Sequence, residues 1–377
     1  MAKQIAVIAA DTHLDHLIWR THPNITGDSY FGYRQVVDIA VARKLPLILA
    51  GDVTELLPDN TPDSNTVAMH IEQAARLRGA GCRVLAVRGQ HDRVRQGAKD
   101  WLCVTGLAED DRQLTHTKLA DLNVALLSWQ HRSNLADMLQ QIRSDTQITV
   151  CHQVWKQLMG GSSPEGSIAD VPGSLIISGD LHQQKLVRVK TDTGDKRAYS
   201  PGATHMRKRN EPHLHYAAIL HDDLSISRVP LISRRVITYR IENTQSLEEL
   251  YNKLPEMRAE MLTAKWKAMY PSEVQKPLLI VQDFSESAAS YARVMDWCGD
   301  AFHVFYDSMR TEDDDLDLLQ ATAPDSVATL WDYVVEEVGR DEELLDFAKA
   351  VLESESPAKA ITDYRTMLLT KGDKNAS

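Results

Sequence analysis

At 377 residues, with 43% hydrophobic and 25% charged residues, the chain is long enough for two or three domains and has the make-up of a globular protein. No apolar run approaches the ~18 residues that a membrane span needs. The opening MAKQIAVIAADTH meets acid and imidazole too early for a signal peptide. A cytoplasmic protein without a membrane partner is therefore expected, and four cysteines without CxxC spacing (Cys82, Cys103, Cys151, Cys298) read as reduced thiols. The net charge of −11 argues against a generic DNA coat, which would be basic overall. It leaves room for local basic surface in VRGQHDRVRQGAK and HMRKRNEPH, whose alternative reading is a solvated face.

In chain order, QIAVIAA (4–10) is a short apolar run ending at Asp11 and predicts a buried strand. Residues 30–44 carry apolar positions at helical spacing with basic residues at the end. PLILAGD predicts a second strand ending at Asp52, followed by a polar loop (58–65) and a helix, TVAMHIEQAARLRGAG, stopped by glycines. CRVLAVRGQHD predicts a third strand, and the alternation predicts a right-handed α/β layer arrangement. Three more apolar runs, NVALLSWQH, TQITVCHQ and SLIISGDLHQ, each end in His or Asp.

After about residue 230 the pattern changes. RRVITYRIENTQSLEELYNKLPEM predicts a strand and then a helix capped by Asn243 or Ser246. KPLLIVQDF, SESAASYARVMDWCG and AFHVFYD predict strand, helix and strand of a small α/β domain over 231–310. The acidic TEDDDLD then leads into a helical tail, giving a third region over 311–377.

The polar strand ends form one ordered set: Asp11-x-His13, Gly51-Asp52, Gly89-Gln90-His91-Asp92, His152, and Gly179-Asp180-Leu181-His182. On an extended segment the D-x-H spacing puts both side chains on one face, and all five ends are expected on one sheet edge, where open α/β sheets build sites. Mixed carboxylate, imidazole and amide ligands suit Mn²⁺, Fe²⁺ or Zn²⁺ better than Ca²⁺. A bridging carboxylate such as Asp52 suits paired ions of the kind used in phosphoryl transfer. Each motif alone is weak; the ordered set of five is specific.

The order D-x-H, GD, GNH(D/E), H, G-H-x-H resembles the signature of calcineurin-like metallophosphoesterases. AADTHLDH, ILAGDVTELLPDNTPDS, VLAVRGQHD and YSPGATHMRKRNEP resemble its SbcD-type nuclease branch over residues 5–212. The resemblance implies a four-layer α/β/β/α metallophosphoesterase sandwich over 1–230. A DNA-contacting capping domain over 231–310 and an ATPase-docking tail over 311–377 would follow. It further implies two divalent ions, Mn²⁺ or else Mg²⁺, with Asp11, His13 and His182 on one, Asp52 bridging, and Gln90, His152 and Asp180 on the other. His91 would protonate the leaving oxygen, with Asp92 orienting its ring, and Arg88, Arg93, Arg95, Arg207, Lys208 and Arg209 would contact DNA phosphates. The implied partners are DNA, an SbcC-like ABC ATPase with a long coiled coil, and a second copy of the chain. Two positions depart from the branch. Gln90 stands where it has Asn, and Asp180 where it has His, an exchange that favours harder ions. The alternatives are a stand-alone phosphodiesterase or phosphatase on a small nucleotide or phosphoprotein, and a catalytically weak scaffold binding DNA ends.

Among the other histidines, His131 is open between a strand-end cleft role and a structural one. His205, His213 and His215 read as surface residues, and Trp129 and Trp155 as core or loop anchors.

Overall fold

The computed structural model describes residues 2–308 apart from 16–18, 20–21, 23, 57–60, 93–99, 109–111, 160–163, 193, 209–210 and 286–288. The expected tail over 311–377, and with it the ATPase-docking expectation, lies outside the described residues, as do Arg93, Arg95 and Arg209. The elements run β1 (Gln4–Ala9), α1 (Asp28–Arg43), β2 (Leu47–Ala50), α2 (Ser64–Gly79), β3 (Val84–Val87) and α3 (Trp101–Val104). Then come β4 (Leu114–Leu119), β5 (Leu122–Leu127), α4 (Arg132–Gln140), β6 (Ile148–His152), α5 (Lys156–Met159) and β7 (Leu175–Gly179). The chain continues through β8 (Lys185–Thr191), β9 (Gly194–Ser200), β10 (His215–His221) and β11 (Ile226–Leu231). It closes with β12 (Val236–Ile241), α6 (Thr244–Leu262), α7 (Ala264–Met269), β13 (Leu278–Asp283), α8 (Ala289–Cys298) and β14 (His303–Ser308).

Two sheets face each other. One is five-stranded, in the order β11-β10-β1-β2-β3, and the other six-stranded, in the order β4-β5-β6-β7-β9-β8. β1, β2 and β3 are parallel, and so are β5, β6, β7 and β9. The period-2 alternation of a strand explains the layering. In β1 and β2, Val7, Ala9, Leu47 and Leu49 point to Tyr33, Val36 and Leu77 of α1 and α2. Their neighbours Ile8 and Ile48 instead meet Val124, Ile148, Val150 and Ile177 of the opposite sheet. On the far side, Ala125, Leu127 and Ile176 cover Leu135, Leu139 and Trp155. Helix, sheet, sheet and helix thus stack as four layers, the expected α/β/β/α arrangement. Because both faces of β2 are buried, Ile48→Ala costs about 2–5 kcal/mol.

Residues 185–231 hold four strands that the apolar pattern does not announce. The β8–β9 hairpin lies at a sheet margin with much of its surface in water, so it has no need of an apolar face. β10 is central and buried, but its HYAAILH has little of the β-branched content that marks a strand. β12, β13 and β14 form a third, three-stranded sheet covered by α6 and α8 around Leu247, Leu250, Leu279, Val294 and Phe302. Asn243 and Ser246 both act at the start of α6, as a reciprocal capping box.

Residues 1–282 and 287–307 form one compact unit. Of the second unit, residues 283–286 and 308–377, the described part includes a turn in which Ser285 N–H donates to Asp283 Oδ1 (2.7 Å). Among the described residues, no helix is long and apolar enough to cross a membrane.

Candidate metal centre

The polar strand ends do meet, but not on one sheet edge as expected. Asp11, Asp52 and Gln90 follow β1, β2 and β3 of the five-stranded sheet, whereas His152 and Asp180 end β6 and follow β7 of the other. Parallel strands of both sheets end on the same side of the sandwich, so the site straddles the two layers. Close approach is enforced by missing side chains. A Cβ at Gly89 would collide with the Asp52 carboxylate, and one at Gly179 with the carbonyl of Ala50.

The extended D-x-H geometry is also corrected. Asp11 (φ 51°), His13 (φ 35°), Asp52 (φ 48°) and Asp180 (φ 82°) all have left-handed backbones. They are four of the seven non-glycine residues with positive φ among the described residues. Such conformations cost about 1–3 kcal/mol each and persist where the surroundings over-determine them. The strands stop before these residues, and tight turns aim the side chains inward.

Asp52 sits at the middle. Its Oδ1 accepts the His91 backbone N–H (2.9 Å), while Oδ2 lies 3.2 Å from His152 Nε2, 3.7 Å from His13 Nε2 and 4.0 Å from His91 Nε2. Its carboxyl is held well below the usual range: burial works against the charge, but the surrounding imidazoles outweigh it. Asp11 uses Oδ1 to accept the Asp180 N–H (3.0 Å) and leaves Oδ2 buried without a hydrogen bond. Burial pushes its pKa up to about 6.

Each imidazole is braced on its far nitrogen. His152 Nδ1 donates to Ala50 O (2.8 Å), leaving Nε2 buried without a hydrogen bond. His13 Nδ1 donates to Glu55 Oε2 (2.8 Å), and His182 Nδ1 to Glu211 Oε1 (2.8 Å). This is the carboxylate–imidazole arrangement that fixes the tautomer of a metal ligand. Glu55 and Glu211 were not singled out in the sequence. Glu55 stands three residues after Asp52, but its link to His13 spans 42 residues and that of Glu211 to His182 spans 29.

The donor set fits divalent cations. Asp11, His13 and His182 form one triad with ligand atoms all within 4.8 Å, and Asp11, Asp52 and His152 form another. Burial lowers His13 to about 4, so its ring is neutral, with the Nε2 lone pair facing His182 Nε2 at 3.2 Å. For His152, burial is outweighed by the charges of Asp52, Asp11 and Asp180, which raise it to about 10. A proton held among three carboxylates marks a place suited to a cation. The two remaining expected ligands are engaged with each other, because Gln90 Nε2 donates to Asp180 Oδ1, which lies 3.7 Å from His152 Nε2.

His91 stands at the rim, its side chain 37% exposed. Its orienter is not Asp92 but Glu55, whose Oε1 accepts from Nδ1 at 3.0 Å. That bond outweighs burial and raises the pKa of the ring. Asp92 is instead a buried staple: Oδ2 accepts the N–H groups of Val53 (3.1 Å) and Gly89 (2.9 Å), and Oδ1 that of Thr54 (2.7 Å). It ties the loop carrying Asp52 to the loop carrying Gln90.

The basic residues divide. Arg88 is buried, with its guanidinium on Asp100 and Cys103, and braces the fold rather than meeting phosphate. Arg207 reaches into the site, where Nη1 donates to His13 Nε2 (2.8 Å) and Nη2 to Glu55 Oε2 (3.1 Å). Lys208 is exposed beside it. His205 and His215 are buried rather than on the surface, and His131 caps α4. Trp155 is a core residue, as expected.

No protein-family model matches the sequence, and no curated protein sequence does. Several solved structures overlap it in part. An archaeal phosphodiesterase is 15% identical, covering 60% of this chain and 99% of its own, at a TM-score of 0.32. TT1561 of Thermus thermophilus is 12% identical, covering 62% and 100%, at 0.38. Vps29 of Entamoeba histolytica complexed with Zn²⁺ is 15% identical, covering 60% and 99%, at 0.27. With scores this low, the functional reading rests on the side chains of the site.

Proposed function

We propose that the chain is a metal-dependent phosphodiesterase of the calcineurin-like kind that cleaves DNA, the nuclease subunit of an SbcCD-like repair complex. The observation that carries the metal-dependent reading is Asp11 Oδ2, a buried ligand atom without a hydrogen bond, in one cluster with Asp52 and a His152 ring surrounded by carboxylates. Buried polar atoms normally have partners; bound cations would supply one to Asp11 and balance the carboxylate charge around His152.

Asp11, His13 and His182 would hold one divalent ion and Gln90, His152 and Asp180 the other, with Asp52 between. Such ions, Mn²⁺ or else Mg²⁺, lower the pKa of bound water and neutralise phosphate charge. The remaining work falls to the side chains. His91, whose protonated form the Glu55 hydrogen bond favours, delivers a proton to the leaving oxygen. Arg207 Nη1 donates to the His13 Nε2 lone pair; were that lone pair committed to an ion, the guanidinium would be available to the substrate phosphate. Gln90 keeps its amide oxygen for coordination while its nitrogen neutralises part of the Asp180 charge.

The whole-chain charge does not oppose DNA. Residues 309–377 hold 17 acidic and 7 basic residues, whereas residues 1–308 hold 36 and 35. DNA contact by Arg207 and Lys208, a capping role for 231–310, docking of an SbcC-like ATPase on 311–377, homodimerisation and a cytoplasmic location belong to the same proposal.

The test is incubation with Mn²⁺ and linear DNA, with and without the ATPase, beside His91→Ala and a small phosphodiester. Loss of a positioned proton donor lowers kcat by about 10²–10⁴-fold. DNA cleavage abolished in His91→Ala supports the reading. Turnover of the small substrate alone moves it to a stand-alone phosphodiesterase, and DNA binding without hydrolysis moves it to an end-binding scaffold.

A further inference from the structure

Glu211 uses both of its carboxylate oxygens, and they face different tasks. Oε1 accepts from His182 Nδ1 at 2.8 Å. Oε2 accepts the backbone N–H groups of Arg207 (2.6 Å) and Lys208 (3.2 Å), while its own N–H donates to Lys208 O (3.0 Å) and closes the turn. The side chain is 14% exposed, so these bonds form largely out of water, where they are stronger. One residue thus sets the tautomer of an imidazole in the metal centre and holds the turn that presents two cations. That turn is fixed on its other side, where Met206 is buried against Leu278 and Ile280.

We propose that Glu211 is a positioning residue that couples cation binding at His182 to the grip of the Arg207–Lys208 turn on DNA phosphate. The proposal rests on the nuclease reading above. A cation on His182 Nε2 draws electron density from the ring and strengthens the Nδ1–H bond to Glu211. The carboxylate so fixed keeps its second oxygen on the two N–H groups and holds the turn in its phosphate-binding shape. Coupling of this kind is reciprocal, so DNA tightens the cation by the same factor as the cation tightens DNA, commonly about 5- to 150-fold.

The experiment uses the full chain in a His91→Ala background, which binds DNA without turning it over. Affinity for a labelled duplex is measured by fluorescence anisotropy over a Mn²⁺ titration at constant ionic strength, and Mn²⁺ affinity by calorimetry with and without the duplex. With Glu211 present, Mn²⁺ tightens DNA binding about tenfold or more, and DNA tightens Mn²⁺ by the same factor. Glu211→Ala brings both factors below about twofold while Tm in EDTA stays within a few degrees. Glu211→Gln has one acceptor oxygen and can serve His182 or the turn but not both, so it folds and binds Mn²⁺ yet loses the coupling. Retention of the full mutual enhancement in both variants overturns the proposal. So does a fall in DNA affinity that is the same with and without Mn²⁺, which marks Glu211 as a structural clip. A parent protein that binds neither Mn²⁺ nor DNA overturns this proposal and the nuclease reading together, whereas intact binding with unchanged coupling overturns this proposal alone.

Discussion

The two halves of the candidate metal centre are built differently. Around His13 and His182, each imidazole rests on a glutamate, Glu55 or Glu211, and Arg207 supplies a counter-charge. Around His152 the brace is a backbone carbonyl, and the two remaining candidates, Gln90 and Asp180, bond to each other. The first half has its ligand lone pairs aimed and its tautomers fixed in advance, the condition under which binding loses least to reorganisation. The second half is richer in carboxylate and is held by the backbone, so its ion choice depends more on charge than on pre-aimed nitrogen. Asp52 faces both, with His13 and His152 within 4 Å of the same oxygen.

Removing Asp52 is therefore the harshest way to break the comparison. Asp52→Ala weakens Mn²⁺ binding in both halves by more than the 10–100-fold typical of an outer partner; calorimetry showing one intact site would end its bridging role. Glu55→Gln comes next. Losing the carboxylate behind His13 and His91 lowers metal affinity or activity by about 10–100-fold, and an effect on DNA affinity alone would separate Glu55 from both rings.

Acidity sharpens the contrast by another route. Without a cation His152 holds a proton up to about pH 10, and the pKa of His182 is also raised, because nearby carboxylates outweigh burial. A cation at His152 must displace that proton, so apparent Mn²⁺ affinity there rises with pH, about tenfold per unit for each proton released. Below about pH 6 the fall steepens as Asp11 also protonates. Calorimetry in buffers of different ionisation enthalpy counts the protons, and a flat profile from pH 6 to 8 contradicts the arrangement.

Asp180→His tests the chemistry of the second half. It exchanges an anionic oxygen for a neutral nitrogen and shifts that subsite from Mn²⁺ or Mg²⁺ toward Zn²⁺, leaving the His13–His182 half unchanged in competition titrations. The smallest effect is on stability. Asp92→Ala strands three buried N–H groups at about 1–3 kcal/mol for each that water does not reach, read as a lowered denaturation midpoint with an unchanged m-value.

Much of this was legible beforehand. Apolar runs ending in Asp or His located β1, β2, β3, β6 and β7, because a strand buried on both faces must be continuously apolar and its first polar residues mark where it leaves the core. Asp11, His13, Asp52, His152 and His182 were recoverable for the same reason. Gly89 and Gly179 were visible as letters, but the collision that makes them glycine was not, since it occurs with Asp52 and Ala50 of another strand. Arg88 misled for the converse reason, because its partner Asp100 sits twelve residues away and buries a charge that composition reads as surface.

The sequence alone determined the alternation of strand and helix and the ordered set of polar strand ends, since both follow from local periodicity; the four layers it implied only through resemblance. Tertiary structure alone decided which sheet each end belongs to, that Glu55 rather than Asp92 holds His91, and that Glu211 serves His182 and the Arg207 turn at once. Those facts depend on side chains meeting across tens of residues, and no local pattern encodes which carboxylate reaches which imidazole.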